Sequence, residues 1–242
     1  MQRGRRDDGV EWPTVVLAVA IYVSWLALVL GHRAMPWWLT MALLGVVIAW
    51  HGSLQHEVVH GHPFRHRAAN DALGSIPLSP RVPYLAYRRY HLRHHDSVSL
   101  TDPIADVESY YLTAATWDRM PPIVRWGWIF HQTLVGRLLL GPPCEIVSVW
   151  SSHAREIRRG DRELAVAWLV HLVGFGAVSW FALGAAGLPW PVFLGAIYAG
   201  HSLGLVRSFA EHRWTPGDAS RSAVVRSGPV FSLLFLNNDL HH

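Results

Sequence analysis

The chain has a single cysteine, Cys144, among its 242 residues. One thiol cannot close an internal disulfide, and it cannot build a metal site that needs several cysteines. Lysine is missing altogether, since all 21 basic residues are arginine. A genomic base composition that favours arginine codons accounts for this bias without any functional role. Motifs that bind haem, a flavin or an iron–sulfur cluster are missing too.

Charged side chains are scarce as well, at 16% of the residues against 51% that are hydrophobic. Such a composition is typical of a chain that is partly dissolved in lipid. The formal net charge is +4, and the arginines lie between hydrophobic segments rather than in a stripe beside nucleic-acid-binding motifs. This distribution fits an anionic membrane surface and argues against a nucleic-acid partner.

Four apolar segments are long enough to cross a bilayer, which takes about 20 mostly apolar residues. They span residues 12–30, 37–54, 164–186 and 190–209. Short turns join them pairwise, so the sequence predicts two hairpins. The first segment lacks the small-residue cleavage site of a signal peptide, and we therefore expect it to be retained.

A fifth apolar segment, residues 123–140, carries Arg125 and Arg137 together with Trp126 and Trp128. Aromatic and basic side chains on one helix are typical of the membrane interface. The sequence therefore predicts an interfacial helix here rather than a fifth span.

The arginines also predict the orientation of the hairpins. Residues 1–11 hold three, residues 55–163 hold thirteen and residues 207–242 hold four. Under the positive-inside rule these three segments are cytoplasmic. Residues 55–163, which connect the two hairpins, are too many for a loop without secondary structure, so we expect them to fold as a cap. We thus expect an all-α membrane protein, one domain over 1–242, with four transmembrane helices in two hairpins and a cytoplasmic helical cap.

The sixteen histidines are concentrated in a few short stretches on that cytoplasmic side. "HGSLQHEVVHGHP" places His56 and His60 four residues apart, and "RRYHLRHHD" places His91, His94 and His95 within one turn. Residues three or four apart share a helix face, so these imidazoles can converge on an ion. Neutral imidazole binds iron, zinc, copper and nickel.

Other interpretations of these histidines remain open at this point. "HEVVH" is also the motif of zinc peptidases, in which the two histidines bind zinc and a glutamate, here Glu57, is the general base. "HLRHH" could be a solvated helix face. A membrane metal carrier would need ligands near the midplane, at His171 and His201, which we instead expect to be hydrogen-bonded packing residues. We assign four further histidines to the surface or the interface: His32, His66, His131 and His153.

The two motifs in this order, behind a transmembrane hairpin, resemble the integral-membrane fatty acid desaturase and hydroxylase superfamily, and its bacterial members in particular. That superfamily carries three histidine boxes, of which "HEVVH" and "HLRHH" match the first two. The closing "NNDLHH" matches the start of the third. The resemblance implies seven iron ligands: His56, His60, His91, His94, His95, His212 and His241.

The resemblance also implies a chemistry. Two iron ions would activate dioxygen and remove hydrogen from an unactivated C–H bond, which no side chain alone can do. The substrate would be an acyl lipid, an acyl-CoA or an acyl carrier. A separate donor of the ferredoxin, cytochrome or flavoprotein type would supply electrons. Within the superfamily, a hydroxylase or a carotenoid-modifying oxygenase is the alternative to a desaturase.

Further residues are expected to support the ligands, since metal-bound histidines usually donate their second N–H to a neighbouring group. Ser208 stands where relatives carry an asparagine that holds a metal-bound water. The full set of candidates is Asp96, Ser208, Glu211, Asn237, Asn238, His51 and His62. The companions of His241 would lie past His242, so we expect this chain to end inside the third box and to be inactive in this form. The expected location is the inner membrane of a bacterial cell, with the site on its cytoplasmic face.

Overall fold

The computed structural model describes residues 9–96, 102–104, 109 and 111–211. Every regular element within these ranges is a helix. This confirms the predicted all-helical fold class for the part of the chain that the structure describes.

The first two helices coincide with the first two predicted apolar segments. Helix α1 spans Trp12–Gly31, a short 3-10 turn spans His32–Ala34, and α2 spans Trp37–Val59. Pro36 precedes α2 and fixes the backbone where the helix begins. Helix α2 continues five residues past the predicted end at Leu54. The prediction ended where the apolar residues end, but the last turn, which carries His56, is also helical.

Five helices follow between the two apolar regions. They are α3 (Arg67–Gly74), α4 (Tyr84–His95), α5 (Ala114–Arg119), α6 (Pro122–His131) and α7 (Leu134–Arg158). The sequence predicted a single interfacial helix over 123–140. This prediction is wrong in one respect, because the helix is interrupted there and the structure has two helices, α6 and α7. The Thr133 hydroxyl accepts a hydrogen bond from the Gly136 amide at 3.0 Å and thereby starts a new helix.

The last region contains α8 (Arg162–Ser179), a π-helical turn at Trp180–Ala185, and α9 (Trp190–Glu211). Asp161 caps α8 by accepting from the Leu164 amide at 3.0 Å. Among the described residues, three helical stretches are long and apolar enough to cross a membrane: Trp12–Ala34, Trp37–Val59 and Arg162–Ala185. The apolar stretch of α9, Trp190–Val206, is shorter.

Helix α2 lies at the centre, with α1 and α9 packed along it. Its Leu44 and Ile48 are buried together with Ile21 of α1 and Ala196 of α9. Outward-facing side chains of α1 and α8, such as Val16 and Val173, are about as apolar as this core but exposed. In a bilayer those faces contact lipid, so the same composition serves both surfaces.

Two histidines assigned from the sequence to the surface are buried instead. His131 is 4% exposed, and its Nε2 lies 3.3 Å from Arg137 Nη1. His153 is 5% exposed and accepts a hydrogen bond from Trp168 Nε1 at 3.1 Å. Each partner belongs to a different helix from its histidine, so no local sequence pattern predicts these contacts. His171 and His201 are buried, as expected.

The close contact between α2 and α9 depends on the absence of a side chain at Gly200. A Cβ at Gly200 would stand 2.7 Å from the Gly45 carbonyl oxygen and 2.7 Å from Ile48, whereas one at Gly204 would meet nothing within 4 Å. We expect Gly200→Ala to destabilise the protein by about 1–3 kcal/mol through overpacking. Gly204→Ala should leave stability unchanged or raise it by up to about 1 kcal/mol. Thermal unfolding in detergent measures both; equal effects would contradict this packing.

Candidate metal centre

The last turn of α2 carries the first two histidines of the site. His56 lies inside the helix and His60 is its C-cap residue. The Gly61 amide donates to the Val58 carbonyl at 3.1 Å, and the His62 amide donates to the Glu57 carbonyl at 3.3 Å. This Schellman ending puts Gly61 at a φ of +93°, which glycine adopts without penalty. The helix therefore ends immediately after its second histidine.

Helix α4 carries the other three histidines. Pro83 precedes the helix and fixes the backbone where it begins. His91 and His94 are buried, whereas His95, at the last position of α4, is exposed. His91 and His95 are four residues apart, so both imidazoles extend from one face of the helix toward the end of α2.

These two helices bring four imidazoles together. His56, His60, His91 and His95 each offer a ring nitrogen within 4.8 Å of the others. His91 Nε2 is 3.3 Å from His60 Nε2 and 3.0 Å from His95 Nε2. The ring centres of His56 and His91 are 4.7 Å apart. We call these four residues the histidine cluster.

The spacing in the histidine cluster fits a metal ion. Two ligands that each bind one ion at about 2.1 Å stand roughly 3.0 to 3.4 Å apart. The Nε2 separations of 3.0 and 3.3 Å lie in this range. Four neutral imidazoles suit a borderline transition metal, whereas calcium and magnesium prefer oxygen ligands.

The histidine cluster is closed on one side and open on the other. His56 is 1% and His91 4% exposed, while His60 is half-buried and His95 is exposed. Glu57 Oε1 lies 3.8 Å from His56 Nδ1. The Tyr87 ring centre is 5.2 Å from that of His91. Within the described residues, the exposed side of the cluster is therefore the side of His95.

His94 is not part of the histidine cluster. Its ring centre lies 6.1 Å from that of His91 and 5.8 Å from that of His95, and its residue is 2% exposed. It thus lies on a neighbouring face of α4, close to the cluster but directed elsewhere. The two remaining predicted ligands, His212 and His241, lie outside the described residues.

Polar contacts hold α4 against three other helices. Arg88 pairs with Asp71 of α3. Arg89 donates to Asp161 at the start of α8 at 2.6 Å. These two ion pairs flank the middle of α4 and fix its position along the neighbouring helices.

A third contact follows directly on the same helix. The Tyr90 hydroxyl donates to Glu156 of α7 at 2.6 Å. Burial, together with this hydrogen bond to a carboxylate, raises the pKa of Tyr90 above its usual range. The hydroxyl therefore stays protonated and remains a donor.

A half-buried carboxylate holds the segment that leads into α4. Glu145 of α7 accepts from Arg81 Nε at 2.9 Å and from His201 Nε2 of α9 at 2.5 Å. Burial by itself raises the pKa of Glu145, but the Arg81 charge and the His201 hydrogen bond more than offset it, so that pKa lies well below its usual range. The pKa of Asp161 is lowered by the Leu164 amide and by Arg89. Both carboxylates are therefore charged at neutral pH.

The candidate supporting residues have different surroundings. His51 Nε2 donates to the Ile76 carbonyl at 2.9 Å, and His62 Nδ1 donates to Glu11 at 2.5 Å. Asp96 is exposed just after α4. Ser208 and Glu211 belong to the end of α9, but their side chains lie outside the described part, as do Asn237 and Asn238 entirely.

The residues that fix α4 were missed from the sequence. Arg89, Tyr90 and Glu156 carry no motif, and the partners are 66 and 72 residues apart along the chain. The sequence shows only that charged side chains lie near the histidine motif. It does not indicate which acidic side chain pairs with which basic one.

Comparison with known families agrees with this geometry. Residues 34–242 match the family model described as fatty acid desaturase. The match includes every residue of the histidine cluster and extends over most of the chain. A search of curated proteins found no match.

His95 provides a direct test of metal binding, because its exposed side chain can be truncated without opening a cavity. We expect His95→Ala to weaken Fe²⁺ or Co²⁺ binding by at least about tenfold, through loss of one imidazole. His66→Ala is the matched control, since His66 is equally exposed and makes no side-chain cap to α3. Anaerobic titration of the purified protein measures both affinities. Equal affinities for the two variants would contradict a metal site at the histidine cluster.

Proposed function

Because the chain belongs to the fatty acid desaturase family, we propose that it is a membrane di-iron, O2-dependent desaturase that introduces a double bond into an acyl chain. The family and the three long apolar helices make it an integral membrane oxidoreductase of the desaturase and hydroxylase type. The observation that carries the finer proposal is the convergence of four imidazoles from α2 and α4.

Iron, when bound, would activate dioxygen and supply an oxidant strong enough to remove hydrogen from an alkyl chain. His56, His60, His91 and His95 would hold one ion. His94, together with His212 and His241, would hold the second. This assignment uses all five histidines of the first two motifs.

The protein's own contribution is to position these ligands and exclude water. The contacts of Arg88, Arg89 and Tyr90 hold α4 in place, so the imidazoles are oriented before an ion arrives. The buried pair His56 and His91 keeps water from the inner side of the cluster.

The proposed setting follows the sequence-based topology. Four spans in two hairpins, with α9 as the fourth, would place the histidine cluster at the cytoplasmic face of a bacterial inner membrane. All residues would form one domain. A separate ferredoxin, cytochrome or flavoprotein would supply two electrons per turnover. The supporting observation is that His56 and His60 lie at the end of α2, where this apolar helix ends.

The alternative from another enzyme class is a zinc peptidase that uses His56, Glu57 and His60. The number of converging imidazoles argues against this alternative. A catalytic zinc has three protein ligands and one open position. Four imidazoles would fill a tetrahedral zinc site and leave no place for the water. Non-haem iron accepts more than four ligands and keeps positions open.

Product analysis tests the proposed reaction. After expression of the protein in a form that carries a complete third histidine box, together with its electron donors, mass spectrometry of the host lipids should show acyl chains that have lost two hydrogens. A gain of one oxygen would indicate a hydroxylase instead. His94→Ala should abolish the product, since it removes a proposed ligand, and Glu57→Gln should retain it. The reverse order, with Glu57→Gln inactive and His94→Ala active, would favour the peptidase and contradict the proposal.

A further inference from the structure

The eight residues "LGSIPLSP", 73–80, connect the end of α3 to the approach of α4. Their backbone is irregular after Gly74, yet Gly74, Pro77 and Leu78 are buried. They contact Tyr22 well inside α1, Gly174 well inside α8, and the last third of α2. We call residues 73–80 the tip segment.

Side chains from α1 and α2 donate to backbone carbonyls of the tip segment. Tyr22 Oη donates to Leu73 O at 3.1 Å. Gln55 Nε2 donates to Gly74 O at 2.8 Å, and His51 Nε2 donates to Ile76 O at 2.9 Å. These three bonds satisfy three carbonyls that no helix could satisfy at this point.

A fourth contact comes from α8. A Cβ on Gly174 would stand 3.1 Å from the Pro77 ring, which shows how closely α8 approaches the tip segment. Pro77 and Pro80 also reduce the number of amides that need a partner.

Contacts before and after the tip segment show how far it reaches. Before the tip segment, the Pro63 carbonyl accepts a hydrogen bond from the Glu11 amide at 3.0 Å. Ten residues later, the Leu73 carbonyl accepts one from Tyr22. At 1.5 Å per residue of α1, Glu11 and Tyr22 are separated by about 16 Å along that helix.

The returning part of the chain gives a similar distance along a different helix. Pro77 lies against Gly174 of α8, and twelve residues later Arg89 donates to Asp161. Gly174 and Asp161 are separated by about 20 Å along α8. The chain thus descends about half to two-thirds of a hydrocarbon core that is about 30 Å thick and then returns.

We infer that residues 73–80 form the tip of a re-entrant segment, which enters the membrane from the side of the histidine cluster and returns to that side. Irregular backbone is tolerated at membrane depth only where the protein satisfies its polar groups. Tyr22, Gln55 and His51 satisfy three of the carbonyls here. They are positioning residues, since they hold the tip segment from which α4 emerges.

The charges on the two arms support this placement. Asp71 on the entering arm pairs with Arg88 on the returning arm. Ionisable side chains at membrane depth are tolerated when they pair with each other. On α2, His51 and Gln55 precede His56, so the tip segment lies on the membrane side of the histidine cluster and forms its floor.

Labelling of single cysteines in sealed membranes tests the placement. In a Cys144→Ala background, Ile76→Cys probes the tip segment, because Ile76 is 43% exposed and available to a reagent. Arg67→Cys, at the exposed start of α3, is the matched control. We expect a charged maleimide to label Ile76→Cys at least about tenfold more slowly than Arg67→Cys. A spin label carried on a lipid acyl chain should quench a fluorophore at Ile76→Cys only. Equal labelling rates would overturn the inference.

The labelling rate at Ile76→Cys also tests the role of the side-chain donors. His51→Leu removes the donor to the Ile76 carbonyl, and labelling at Ile76→Cys should accelerate about tenfold as the tip segment opens. His51→Gln keeps an N–H donor and should restore slow labelling. Ala196→Cys, in the buried core, should stay unlabelled in both variants, which excludes general unfolding. If Gln protects no better than Leu, His51 does not position the segment. Neither result depends on catalysis, so failure here leaves the proposed function untouched.

Discussion

The site depends on one constraint: α4 must lie beside the last turn of α2 at a fixed height, because the four imidazoles converge only in that register. The turn at Gly61 ends α2 at the correct residue. The ion pairs of Arg88 and Arg89 then fix α4 along α3 and α8. Each partner of α4 is a charged or polar group, so a shift of α4 by one turn would leave several half-buried groups without these partners.

The membrane helices and the polar layer above them have different roles. Helices α1, α2 and α9 pack through apolar and small side chains, which form a rigid base. The polar contacts at the end of α2 are specific and determine orientation. Side chains such as His51 belong to both layers, because they lie on a spanning helix yet bind the backbone that leads to α4.

The sequence predicted what depends on local spacing, and missed what depends on remote partners. Apolar length identified α1, α2 and α8, and four-residue spacing placed His56 with His60 and His91 with His95 on shared faces. The break at Thr133 was missed because an apolar run hid a capping residue. The burial of His131 and His153, and the contact of Arg89 with Asp161, follow from packing between helices that no local pattern contains.

The central claim is that the histidine cluster holds iron in an integral membrane oxidoreductase. Metal analysis of the protein with a complete third histidine box, purified from iron-supplied cells and combined with Mössbauer spectroscopy, tests it most directly. The account predicts two iron ions per chain, with imidazole nitrogen as the dominant ligand. One zinc ion and no iron in the purified protein would contradict it.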